Sequence, residues 1–276
     1  MNKKQKNGLL VLTECSIMIA LATVLSIVKI FEMPYGGSVT LASMLPIVIV
    51  AYRHGVLIGS GSALAASAIQ LLLGLKNFSG FTTWQSIIAL AVFDYLLAFT
   101  VFGLVGLLRG KIKNQTAEMA IGALAASVIR YACHVISGAT IWAGLSIPTE
   151  AALVYSLSYN ATYMIPETVV LVLSVAYIGA SLDFTKKIPK RIHAEHAPVA
   201  SYCYIGAGLT ALAALITDTG LVFSKLQDAE SGELSMAGLG DVNWVAFAIV
   251  TAIAAVVVTA LILFGKSKEK KTCRQG

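Results

Sequence analysis

The chain has 276 residues, 57% of them apolar and only 12% charged, about half the charged share of a soluble domain. A mean hydropathy of +0.81 excludes a water-soluble globule and points to several membrane-spanning stretches of about 20 residues each. The net charge of +6 gathers at segment ends, where it orients helices instead of tracking phosphates, so nucleic acid is not an expected partner.

In chain order, apolar runs fall at 8–31, 40–52, 55–75, 84–108, 117–145, 151–181, 201–222 and 243–265, separated by short loops rich in Gly, Pro or charge. They predict eight helices and an all-α, polytopic membrane protein; the long Ala, Leu, Ile and Val runs lack the alternation of a β-barrel. Lys3, Lys4 and Lys6 precede the first run, which is longer than the apolar core of a signal peptide and reads as a retained helix. The second run is too short to cross alone and joins the third near Tyr52-Arg53-His54-Gly55. From Asp183 to Pro198 the chain is charged, with two prolines and two histidines. The expected organisation is therefore a six-helix unit over 1–182, a charged linker over 183–200, and a two-helix extension with a basic tail over 201–276.

With the N-terminus inside, sixteen of the 20 Lys and Arg residues fall in cytoplasmic segments and only Lys76 and Lys225 in outer loops, which places both termini in the cytoplasm. Cys15 and Cys133 lie in apolar runs and Cys203 and Cys273 near basic flanks, so neither a disulfide framework nor a metal site is expected. Enzyme signatures are missing. Gly265-Lys266-Ser267 has Ala260 where a phosphate loop needs glycine, so any ATP must be hydrolysed by another chain, and no cofactor is expected.

A charge in mid-membrane costs about 2.5–3.5 kcal/mol on insertion scales, so each one asks for a partner or a cavity. Asp94, Arg130, His134 and Glu167 qualify, and Glu14 sits nearer a helix end. Arg130, His134, Gly138 and Trp142 recur every four residues and share one stripe of a helix. Asn160, Tyr163 and Glu167 share another, with Tyr155 one turn earlier. Two readings fit: an intramembrane Arg130–Asp94 pair with a packed histidine and an interfacial tryptophan, or, with Trp84 and Tyr95 added, a cavity for a flat organic cation held by charge and cation–π contact. Pro166-Glu167 reads first as a kink whose carboxylate rescues freed backbone donors.

Leu12-Thr13-Glu14 entering Ser16-x-x-x-Ala20, the turn Tyr35-Gly36-Gly37-Ser38-Val39, Asp94-Tyr95, Arg130-Tyr131-x-x-His134-x-x-x-Gly138-x-x-x-Trp142 and Tyr155-Ser156-Leu157-x-x-Asn160 occur in order. Together they resemble the ThiT-type thiamine-specific S component of energy-coupling factor (ECF) transporters, over about residues 8–182. The resemblance implies a six-helix substrate-binding subunit of the bacterial cell membrane without ATPase activity, working with a transmembrane scaffold subunit and two cytoplasmic ATPase subunits. Thiamine would bind near the outer face. Carried over position by position, its contacts are Trp84, Asp94, Tyr95, Arg130, His134, Gly138, Trp142, Tyr155 and Asn160, and Ser16 and Ala20 form the partner interface. Arg130 and Asp94 stand where some relatives carry lysine and glutamate, which keeps charge but changes reach. Gly36 to Pro46 lacks the indole and carboxylate that some relatives place there, leaving Tyr35 to supply a ring. The helices after Ser201 lie outside the family core. Two alternatives stay open: an S component for another flat vitamin or a pyrimidine precursor, and a self-sufficient carrier or sensor with an ion path through Asp94, Arg130 and Glu167.

Overall fold

The computed structural model describes residues 3–33, 36–143, 152–192, 198–226 and 236–272. They form two compact units, Met1–Ile192 and His193–Gly276. The first carries α1 (Lys3–Ile27), a hairpin of β1 (Lys29–Glu32) and β2 (Ser38–Thr40), α2 (Leu45–His54), α3 (Val56–Leu73), α4 (Trp84–Leu108), α5 (Gln115–Thr140) and α6 (Ala152–Ser181). The second carries α7 (Pro198–Leu226) and α8 (Trp244–Thr272). Seven of these helices are long and apolar enough to cross a bilayer, and the chain is a multi-pass, all-α membrane protein.

The exception is α2. Pro46 lies in its first turn, where a missing N–H and a fixed φ cost nothing, and every residue from Pro46 to Arg53 is buried. An apolar helix buried on all sides belongs to the core and not to the lipid. Gly55, at φ +83, then turns the chain directly into α3, using a conformation open to glycine. The neighbouring helices close to backbone distance: a Cβ on Gly59 would stand 2.6 Å from Ala51 Cα, and one on Gly106 would stand 2.6 Å from Val56 N. Ile47, Val48, Ala63, Phe102, Val105, Met119 and Val175 fill the core around this contact.

Two expectations are corrected. The first helix stops at Ile27 instead of residue 31, and the second begins at Leu45 instead of residue 40. Between them β1 and β2 pair antiparallel, with Lys29 opposite Thr40 and Glu32 opposite Ser38. Val28, Ile30 and Phe31 extend the apolar run, yet branched and aromatic side chains fit a strand better than a helix. Second, α4 is not uniform: it is α-helical over Trp84–Leu90, π-helical over Ala91–Leu97 and 3₁₀-helical over Val101–Leu108. The wide turn carries Asp94 and Tyr95, and such turns concentrate at functional sites.

At the end of the unit away from the hairpin, the buried Arg53 guanidinium holds three segments together. Its Nε and Nη2 donate to the Glu14 carboxylate of α1. It also donates to the carbonyls of Phe184, Lys186 and Lys187, at 3.2, 3.2 and 3.1 Å. Leu182–Asp183 (β3) pairs with Lys190–Arg191 (β4), so the start of the charged segment after α6 folds back on itself. In the second unit α7 and α8 run antiparallel, with Gly265 against Tyr204 and Gly206 against Leu261. The Thr251 hydroxyl of α8 donates to Asp218 Oδ2 of α7 at 2.7 Å, a polar pair that sets register between two apolar helices.

Candidate functional site

A cavity of about 520 Å³ lies inside the first unit at its hairpin end, within the usual range of about 300–1,000 Å³ for small-molecule sites. Its walls come from α4 (Asp94, Tyr95, Phe99), α5 and the residues just after it (Arg130, His134, Gly138, Trp142), α6 (Tyr155, Tyr159, Asn160, Tyr163) and the hairpin (Gly36, Gly37, Thr40). The four-residue spacing along α5 is what turns its polar stripe onto this single space.

Four of these side chains form one hydrogen-bonded chain. Arg130 Nε lies 3.3 Å from His134 Nε2, and His134 Nδ1 lies 3.0 Å from Asp94 Oδ1. Trp142 Nε1 donates to Asp94 Oδ2 at 3.0 Å. Arginine can only donate, so His134 Nε2 accepts and its proton sits on Nδ1, pointing at Asp94. Of the two readings, the direct Arg130–Asp94 pair is therefore not the arrangement: the imidazole stands between the two charges. The guanidinium also lies over the Phe99 ring, 4.3 Å from its centroid, where the ring's negative face offsets part of the cost of burial.

The α6 wall is tied to α5 through polar side chains. Ser156 Oγ donates to the Val135 carbonyl at 2.9 Å. Asn160 Nδ2 donates to the carbonyls of Ser156, at 2.8 Å, and His134, at 3.3 Å, while Tyr163 Oη donates to Asn160 Oδ1 at 2.6 Å. Tyr155 and Tyr159 stack at 6.3 Å, and Tyr159 and Tyr163 meet edge to face at 5.8 Å. On the opposite side Tyr95 accepts from Asn77 Nδ2 at 2.8 Å and stacks on Phe78. The result is a lining in which aromatic faces alternate with hydrogen-bonded polar side chains.

Charge reaches the rim from the hairpin. Lys29 and Lys76 approach Glu32 Oε1 at 2.6 and 3.1 Å, and these two contacts hold the Glu32 carboxyl below the usual carboxylate range, the Lys29 hydrogen bond most of all. A lowered carboxyl pKa means that the stabilisation is fully present above the ordinary carboxylate pKa and is lost as the pH falls through the lowered one. Lys29 and Lys76 both line the cavity.

Eight of the nine expected contacts line the cavity: Asp94, Tyr95, Arg130, His134, Gly138, Trp142, Tyr155 and Asn160. Trp84 does not. It opens α4, is 68% exposed, and stands ten residues before Asp94, about 15 Å of helical rise. Tyr35, expected to supply a ring, lies outside the described residues. Ser16 and Ala20 lie on an exposed face of α1. Reading the sequence missed Asn77, Phe99, Tyr159 and the Lys29–Glu32–Lys76 cluster. Tyr159 was signalled by its four-residue spacing from Tyr155, whereas the loop residues carry no period. Among the described residues no group of three His, Cys, Asp or Glu side chains is placed to hold a metal.

Residues 12–186 match the family model described as Thiamine transporter protein (Thia_YuaJ). The thiamine transporter ThiT of Bacillus subtilis (strain 168) is 32% identical over 189 residues, which span 64% of this chain and 94% of that relative. The matched stretch takes in every helix that walls the cavity and stops short of α7 and α8, and on that match this chain belongs to the thiamine transporter family.

Proposed function

We propose that this chain is the substrate-binding membrane subunit of an ECF-type thiamine uptake system. It captures thiamine at the outer face for import driven by ATP hydrolysis on partner subunits. The observation that carries the reading is the convergence of Asp94, Arg130, His134 and Trp142 with the α6 tyrosines on one cavity, in a chain whose family is named for thiamine. Thiamine offers an aminopyrimidine with hydrogen-bonding edges and a cationic thiazolium. An ionised carboxylate has about four acceptor sites, and His134 and Trp142 use two of those on Asp94, leaving others for a ligand amino group. The aromatic walls suit a flat cation, and the guanidinium of Arg130, which repels the thiazolium charge, is left to meet the hydroxyl tail.

The charge distribution supports an outward-opening cavity. Arg109, Lys111, Lys113, Lys186, Lys187, Lys190 and Arg191 all belong to connections at the end opposite the hairpin, which the positive-inside rule turns toward the cytoplasm. The missing phosphate-loop glycine at Ala260 supports a division of labour in which other subunits hydrolyse ATP.

The first test is direct binding. Purified protein is expected to bind thiamine without ATP and to quench tryptophan fluorescence, with Trp142 as the responding indole and exposed Trp84 contributing little. Riboflavin, biotin and folate are expected to compete poorly. No change in fluorescence together with no heat in calorimetry would rule out thiamine as the ligand.

A second expectation concerns the extension. The cavity residues all precede Ile192, so a chain ending at Ile192 is expected to insert and to bind thiamine within a few-fold of the full-length affinity, leaving α7 and α8 for assembly or stability. A folded truncated protein that has lost binding would make the extension part of the site.

A further inference from the structure

β2 enters α2 through a strained turn. Ala42, buried, sits at φ +54, a left-handed conformation that a residue with a Cβ keeps only where its surroundings impose it. Its N–H reaches the Thr40 carbonyl at 2.9 Å, and its own carbonyl accepts from Leu45 N at 2.9 Å. The turn is held from α6. Glu167 is 4% exposed in mid-membrane, where a carboxyl group is tolerated only with hydrogen-bond partners. Its partners are not freed donors at the Pro166 kink but the hairpin. Glu167 Oε2 accepts the Thr40 N–H at 2.5 Å, and Oε1 lies 2.6 Å from the Thr40 hydroxyl, which is 2.8 Å from the Ser43 hydroxyl. Farther out along the same helix, the Thr162 hydroxyl meets Met33 Sδ at 3.0 Å, and a Cβ on Gly37 would stand 2.6 Å from Tyr163 Cδ1. Glu167 itself does not line the cavity, whereas Gly37, Thr40 and Tyr163 do.

We propose that Glu167 is a positioning residue that anchors the β1–β2 hairpin against α6, holding the strained Thr40–Ser43 turn in place as one wall of the cavity. The anchor joins only residues of this chain. Its consequence for ligand lifetime rests on the thiamine reading, and the two are tested separately.

Hydrogen–deuterium exchange on the full-length, ligand-free protein in lipid nanodiscs reads the anchor. Glu167→Leu leaves the Thr40 N–H without its acceptor and is expected to speed exchange across residues 38–44 by about tenfold, the equivalent of one lost hydrogen bond. Peptides from α5 are expected to be unchanged. Glu167→Gln, whose amide can accept from the Thr40 N–H and donate to its hydroxyl, is expected to restore most of the protection. Thr40→Val, which removes only the hydroxyl contact, is expected to loosen the same segment less, and it decides the matter if Glu167→Leu does not fold. Native exchange over 38–44 in the folded Leu and Val variants overturns the proposal. So does equal loosening by Leu and Gln, or loosening spread through α5 and α6, which would make Glu167 a support of the whole bundle. In the second arm, stopped-flow fluorescence is expected to show thiamine leaving Glu167→Leu about tenfold faster, with association within about twofold. A wild-type protein that gives no thiamine signal refutes the ligand assignment and leaves the exchange result standing.

Discussion

Asp94→Asn is expected to weaken thiamine binding by roughly 30-fold to several thousand-fold, the equivalent of about 2–5 kcal/mol for removing one partner of a buried charged contact. The loss has two parts. The ligand's positive charge loses its counter-charge. Separately, an amide has one acceptor oxygen where the carboxylate has two. Both Asp94 oxygens take donors in this structure, His134 Nδ1 at 3.0 Å and Trp142 Nε1 at 3.0 Å. The new NH₂ group must face one of those N–H groups, which turns a hydrogen bond into a donor–donor contact and moves either the imidazole or the indole from the cavity wall. Calorimetry on a variant that elutes as a folded monodisperse species reads the effect. Wild-type affinity in that protein would remove Asp94 from the site. Asp94→Glu is the informative companion: it keeps the charge and both acceptors, so a small loss there, beside a large one for asparagine, separates charge from reach.

The other large effect lies far from the cavity. Replacing Ser16 or Ala20 with tryptophan is expected to abolish thiamine uptake by cells and co-purification with the scaffold subunit, while thiamine binding by the isolated protein stays near normal. Leu12, Ser16, Ala20 and Val24 recur every four residues on α1 and all four are exposed, a stripe on which small residues let a second helix backbone approach in lipid. Ser16 bonds its own helix, Oγ to the Leu12 carbonyl at 2.9 Å, so it presents a small surface with its polarity already satisfied. An indole at either position fills the groove that a partner would enter and touches nothing inside this chain. Loss of thiamine binding with assembly intact would mean that the stripe packs inside the subunit. Uptake that persists in cells lacking the ATPase subunits would instead favour a self-sufficient carrier.

These two predictions differ in how visible their grounds were. The helix count followed from hydropathy, because a bilayer of fixed thickness demands apolar runs of fixed length, and α3, α4 and α6 begin and end close to the expected positions. The α5 stripe was legible for a similar reason: within one helix, a four-residue period is a statement about direction, so Arg130, His134, Gly138 and Trp142 had to share a face. The order of motifs along the chain carried the family, which the match over residues 12–186 bears out.

What the tertiary structure alone decided was every relation that crosses between segments or breaks a regular period. Local hydropathy could not tell the strand Lys29–Glu32 from the last turn of a helix, since the choice depends on a partner strand supplied later in the chain. The π-helical turn at Ala91–Leu97 shifts the face of α4 partway along, and Trp84, carried over from the family resemblance, stands before that turn and does not line the cavity. His134 stands between Arg130 and Asp94 because α4 and α5 meet at one particular height, which neither helix encodes by itself. Glu167 read as a residue of its own kink, yet its carboxylate binds Thr40, 127 residues away in sequence. Periodicity fixes where a side chain points within its own helix; which group it meets there is set by how the helices pack.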